Sequence, residues 1–248
     1  MFMGVLGLVT GSFLSVVAHR VPRGESIVTP RSHCPACGTQ LRNRDNIPLL
    51  GYLAQRGRCR HCGERIPPTY PLLEAGLAAA FVGCLLAFEG DAAEIALGAV
   101  FAATLFAVTV TDLEHRLIPN KILIASAVIG IAIAAPTDPD GLGERAIAAL
   151  AASGFLFVVA LAYKGGMGMG DVKLAAVMGL YLGRAVAPAM LIGFAAGALY
   201  GLALIARHGS QARKRKVPFG PFLALGGLVG LFAGDEIVDW YVDTFFDG

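Results

Sequence analysis

Apolar residues gather along this chain in runs near 20 residues, the length of helix that crosses a hydrocarbon core of roughly 30 Å. Eight runs are visible, at about 1–18, 72–88, 95–111, 119–135, 146–163, 171–183, 186–206 and 219–234. The sixth is short and glycine-rich. The pattern predicts an all-α integral membrane protein of about eight transmembrane helices. Only residues 19–71 break it with a long polar, basic stretch rich in proline and glycine. The expected organisation is a first span at 1–18, an extramembrane module at 19–71 and a multi-span membrane domain at 72–248.

Composition supports this reading. Of 248 residues, 56% are hydrophobic and 15% charged, with a mean hydropathy of +0.66. A soluble domain of this size closes a core with far fewer apolar residues. The opening Met1-Phe2-Met3-Gly4 carries no cationic stretch ahead of its apolar run, so the first span is expected to stay rather than be cleaved as a signal peptide.

Charge then orients the chain. With the N-terminus outside, the loops at 19–71, 112–118, 164–170 and 207–218 face the cytoplasm. Of the 20 Lys and Arg residues, 18 fall on that side and two, Arg145 and Arg184, on the other. The outer loops are acidic, which is the positive-inside bias. The run Arg213-Lys214-Arg215-Lys216 reads as a topology anchor beside anionic lipid, and no nucleic-acid role is expected. The lipid bilayer is the expected partner surface.

Four of the five cysteines form two pairs, Cys34-Pro35-Ala36-Cys37-Gly38 and Cys59-Arg60-His61-Cys62-Gly63, with 21 residues between them. Such turns can present four thiolates to one zinc ion, and the glycine after each pair permits the tight turn. A cytoplasmic setting keeps these thiols reduced. A closed four-thiolate site leaves no open coordination position, so the expected metal is structural Zn2+ on Cys34, Cys37, Cys59 and Cys62. The competing reading is a metal-free loop. Cys84 lies within an apolar run and reads as a small buried residue.

Two acids stand out against the apolar background. Asp112 ends the third run in Val110-Thr111-Asp112-Leu113, and Asp171 lies in Gly168-Met169-Gly170-Asp171 where the chain re-enters the membrane. An acid at the centre of a bilayer costs roughly 2.5–3.5 kcal/mol, and less near its edge, so such residues tend to serve a purpose. Facing carboxylates share one proton, and the pair can then activate water while polarising a peptide carbonyl. Gly168 and Gly170 would let an extended peptide approach Asp171, and Lys173 is a further candidate substrate contact. Asp171 as a helix cap and Asp112 as a partner of Arg116 are the plainer readings. Glu74, near the start of the second span, is expected to pair with a cation.

From these residues onward the sequence resembles the bacterial type IV prepilin peptidases, also called leader peptidase/N-methyltransferases, which are GxGD-type membrane aspartic peptidases. The resemblance runs through Gly11-Ser12-Phe13-Leu14, both cysteine pairs, Asp45-Asn46-Ile47-Pro48, Tyr70-Pro71-Leu72-Leu73-Glu74, Asp112-Leu113, Ile118-Pro119-Asn120, Gly168 to Asp171 and Pro218-Phe219-Gly220-Pro221-Phe222. Ser15 departs from it, standing where the family usually has Asn. The resemblance implies catalysis by Asp112 and Asp171 in the bacterial inner membrane. It also implies prepilin or pseudopilin substrates with a short basic leader, and methylation of the freed amine by S-adenosylmethionine. Alternatives are a peptidase without methyltransferase activity, a proton-coupled transporter and a zinc-bearing scaffold.

Overall fold

The computed structural model describes residues 1–162, 167–209 and 217–246. Regular structure among them is helical apart from two isolated bridges. The helices are α1 (Phe2–Arg20), α2 (Leu50–Ala54), α3 (Thr69–Ala87), α4 (Ala92–His115), α5 (Asn120–Thr137), α6 (Leu142–Ala162), α7 (Met169–Leu182), α8 (Val186–His208) and α9 (Gly220–Phe245).

Among the described residues, seven helical stretches are long and apolar enough to cross a membrane. The sixth and seventh runs of the sequence are the two arms of one such stretch, Met169–His208. Its α-helix is interrupted at Gly183, whose φ of 52° lies in the left-handed region that glycine tolerates. α7 has 14 residues and so extends only about 21 Å, short of a full crossing by itself. The basic run at 213–216 and part of the 164–170 loop lie outside the described residues.

Two compact units divide the chain, Met1–Ile95 and Ala96–Gly248. In the first, α1 and α3 run antiparallel with their backbones in close approach. A Cβ on Gly7 would stand 2.6 Å from Ala78 Cα, and one on Gly11 would stand 2.7 Å from Glu74 Cα. Lipid offers helices no hydrophobic drive to pair, so close backbone packing at small residues supplies the attraction. The second span therefore pairs with the first, although the sequence alone would start the membrane domain there.

The second unit packs α6 on α7, α8 on α9 and α5 on α7 around a core that includes Phe101, Leu105, Leu156, Leu174, Met178 and Leu223. Three of its helices are also tied by polar groups. Tyr181 on α7 donates to the Ser126 carbonyl of α5 at 2.8 Å, and Ser126 Oγ lies 2.8 Å from Thr104 Oγ1 of α4. The Tyr181 ring stacks on Phe101 at 5.0 Å and fills the space where Gly130 lacks a side chain. Fully satisfied buried groups of this kind fix one arrangement of helices.

Gly7→Leu should separate α1 from α3 and cost roughly 1–3 kcal/mol or more, as overpacking does. Gly154, which has open space beside it, serves as control: Gly154→Ala should leave stability equal or slightly higher. Reversible unfolding in bicelles reads the difference, and equal stability of the two variants would refute the close-packing account.

Candidate active site and metal centre

Asp112 lies in the last turn of α4, and only 7% of its surface is exposed. Its Oδ2 accepts a hydrogen bond from the Gly220 amide at 2.8 Å. That amide opens α9, so the positive end of a 26-residue helix meets the carboxylate. The surrounding Pro218-to-Phe222 motif explains the geometry. Phe219 stacks on Phe194 at 5.6 Å and Phe222 lies against Tyr200 at 5.3 Å, anchoring the start of α9 to α8. A Cβ on Gly220 would come within 2.8 Å of Asp112 Oδ2, so glycine is required there. The Arg116 guanidinium also lies within Coulombic range of Asp112.

Asp171 is the third residue of α7 and equally buried, at 7% exposure. Its Oδ2 accepts from the Gly168 amide at 3.1 Å, a carboxylate reaching back to satisfy the start of its own helix. The capping suggested by the sequence is real, and it coexists with a second relation: Asp171 lies within Coulombic range of Asp112. α4 and α7 thus bring together two acids that stand 59 residues apart (171 − 112).

The other candidates separate. Gly170 backs onto Ile118, with which a Cβ would clash at 2.9 Å, so its small size serves packing of the Ile118-Pro119-Asn120 segment. Lys173 donates to Asn120 Oδ1 at 2.9 Å, joining the starts of α7 and α5. Glu74 is buried at 8% exposure, and its Oε2 accepts from the Leu49 amide at 2.7 Å, where the sequence suggested a cation.

The cysteine module consists of two matching turns. In one, the amides of Cys34 and Gly38 bond to the carbonyls of Thr39 and Cys34; in the other, those of Cys59 and Gly63 bond to Glu64 and Cys59. Gly38 and Gly63 have φ of 69° and 74°, the left-handed conformation each turn needs. The four sulfurs lie within 4.8 Å of one another, and Cys34 Sγ is 3.8 Å from Cys62 Sγ. A tetrahedron with Zn–S bonds near 2.3 Å has edges of about 3.8 Å, so the donor set fits zinc. Thiol acidities diverge across the cluster. Hydrogen bonds from Thr39 bring Cys37 down to about 6. The Glu64 amide lowers Cys62, but burial and the neighbouring thiols push it to about 12. Four thiolates this close need a cation between them. Asp45 braces the module by pairing with Arg60 at 2.9 Å.

Sequence reasoning passed over four contributors. Gly220 lay within a quoted motif but had no role until folding placed its amide on Asp112. Ser126 and Tyr181 are separated by 55 residues and give no local signal. Buried Arg20, which donates to the Ser26 and Pro30 carbonyls, looked like one more cytoplasmic cation.

Helices of spanning length, two buried acids within Coulombic range and a metal-suited cysteine cluster define a multi-pass helical membrane protein with a candidate site at those acids. Two family comparisons sharpen that class. Residues 5–88 match the bacterial peptidase A24 N-terminal domain and residues 99–202 match the type IV leader peptidase family. A prepilin leader peptidase/N-methyltransferase of Bacillus subtilis is 37% identical over 96% of this chain and 96% of its own length. One from Burkholderia pseudomallei is 35% identical, over 94% of this chain and 85% of its own. No solved structure matches. The chain belongs to the type IV leader peptidase family, and it is an enzyme of that family.

Purified protein should carry about one zinc per chain. Cys34→Ser with Cys37→Ser should release it. Acid should release it too, because each ligand must be a thiolate: metal is held at neutral pH and lost as pH falls and the thiolates take up protons. Elemental analysis across a pH series decides, and reduced protein without metal at pH 7 would refute the site.

Proposed function

We propose that this chain cleaves the short basic leader from type IV prepilin-like substrates at the cytoplasmic face of the inner membrane, using Asp112 and Asp171 as an aspartic dyad. The observation that carries the reading is the pair of buried carboxylates on α4 and α7, within Coulombic range and each held by one backbone amide. The charge asymmetry of the loops supports the cytoplasmic side, with the N-terminus outside.

In the chemistry, the ionised carboxylate takes a proton from water as its oxygen attacks the scissile carbonyl. The protonated partner donates to that carbonyl oxygen. Collapse of the tetrahedral centre breaks the C–N bond, and the departing amine receives a proton from the dyad. Since two close carboxylates titrate as one unit, neither serves alone.

The freed amine is then methylated. S-adenosylmethionine supplies an electrophilic methyl group for that step, consistent with the N-methyltransferase names of the relatives. Zinc on Cys34, Cys37, Cys59 and Cys62 would hold the paired turns and would take no part in either step, because four thiolates leave no open coordination position. The second reading is a peptidase that does not methylate.

Asp112→Asn and Asp171→Asn should each abolish cleavage of a prepilin peptide in nanodiscs, with the double variant no worse than either single one. Near-normal cleavage by a folded, inserted single variant would remove the dyad from consideration.

Methylation should survive loss of the dyad. Asp171→Asn should add one methyl group to a synthetic, already-cleaved pilin peptide, read as a mass increase of one methyl. Wild-type product that is cut but never methylated would establish the second reading.

A further inference from the structure

The first unit contains two cavities beside α1, and their chemistry differs. One, of about 450 Å³, is lined by Val9, Phe13, Arg20, Arg31 and Arg42 among others and by no carboxylate. The other, of about 370 Å³, lies between α1, the start of α3 and the cysteine turns; four carboxylates line it (Glu25, Asp45, Glu64 and Glu74), together with Arg20, Arg65, His19 and His33. Both volumes suit a ligand the size of a nucleoside derivative. Only the second offers carboxylates to a cationic group.

Within that cavity Glu74 stands apart. Asp45 is neutralised by Arg60, whereas the partner of Glu74 among the described residues is the neutral Leu49 amide. A carboxylate at 8% exposure without a cation carries a high desolvation cost that a cationic ligand would offset. The bond to Leu49 also has a conformational cost. Leu49 holds φ 57° and ψ −50°, a strained backbone for a leucine. Strain and buried charge meet in that hydrogen bond, and its acceptor Glu74 lines the cavity. Tyr52, Asn46 and Gln55 add an aromatic face and amide groups to it. Ser15, where this chain departs from the family pattern, lines the same space.

We propose that this cavity is the binding site for an adenosyl sulfonium methyl donor, with the Glu74 carboxylate as the partner of its positive charge. The proposal rests on the methyltransferase half of the function above and is independent of the aspartate pair, since the first unit alone lines the cavity.

The test uses full-length protein in nanodiscs and two probes, measured by calorimetry. S-adenosylhomocysteine is a neutral thioether, and sinefungin carries an amine where the sulfonium stands. Wild-type protein should bind sinefungin roughly tenfold more tightly, as a charge-assisted contact implies. Glu74→Gln should bring the two affinities together while zinc content stays unchanged. Ser15→Trp should fill the cavity and weaken both ligands at least tenfold, while Val9→Trp, in the arginine-lined cavity, should leave both unchanged. An undiminished sinefungin preference in Glu74→Gln would overturn the role of Glu74. Wild-type binding by zinc-loaded Ser15→Trp would overturn the cavity assignment, as would wild-type protein that binds neither probe. Cleavage of a prepilin peptide in the same preparation separates these outcomes from failure of the peptidase reading.

Discussion

A carboxylate buried among membrane helices needs hydrogen-bond donors close by, because neither water nor lipid supplies them there. In this chain the donors are backbone amides at helix starts. Gly220 opens α9 against Asp112, and Gly168 precedes α7 against Asp171. Much of the second unit follows from that requirement. α9 must begin beside the end of α4, so aromatic contacts with α8 hold its first turn in place. α7 must present Asp171 from its first turn, so the Tyr181 contacts with Ser126 and Phe101 fix it to α5 and α4. Glycine stands at Gly220 because any Cβ would displace the carboxylate.

The first unit meets a related problem with different means. Its polar segment has few apolar residues to bury, so order comes from paired turns, a four-cysteine cluster and the Arg60–Asp45 ion pair. Arg20 closes the loop that follows α1 through two carbonyls, and Glu74 pins Leu49 in a strained conformation. These charges are placed by backbone groups as much as by opposite charges. The helices beneath them approach as closely as glycine allows, which leaves the α1–α3 pair as a firm base for the module.

Much of this was legible from residues alone. Long apolar runs fix the number and length of spans because a bilayer imposes one length on all of them. Paired cysteines at short spacing announce a metal site, since local turn geometry sets where their sulfurs point. The two aspartates stood out because acids beside hydrocarbon are costly. Motif order through the chain then led to the family. The break at Gly183 falls between the runs expected at 171–183 and 186–206, so the interruption that divides Met169–His208 into two arms was legible too.

The sequence by itself determined the membrane class, the cysteine cluster and the presence of two acids beside hydrocarbon, each of which depends on composition or on residues only a few positions apart. Tertiary structure alone decided what surrounds those acids. The amide on Asp112 arrives from 108 residues away, and the polar tie between α5 and α7 spans 55. Glu74 found a backbone amide where a cation was expected. Such contacts depend on which helix faces which, and that choice is made by packing small residues against particular neighbours, a choice no local pattern of polar and apolar residues encodes.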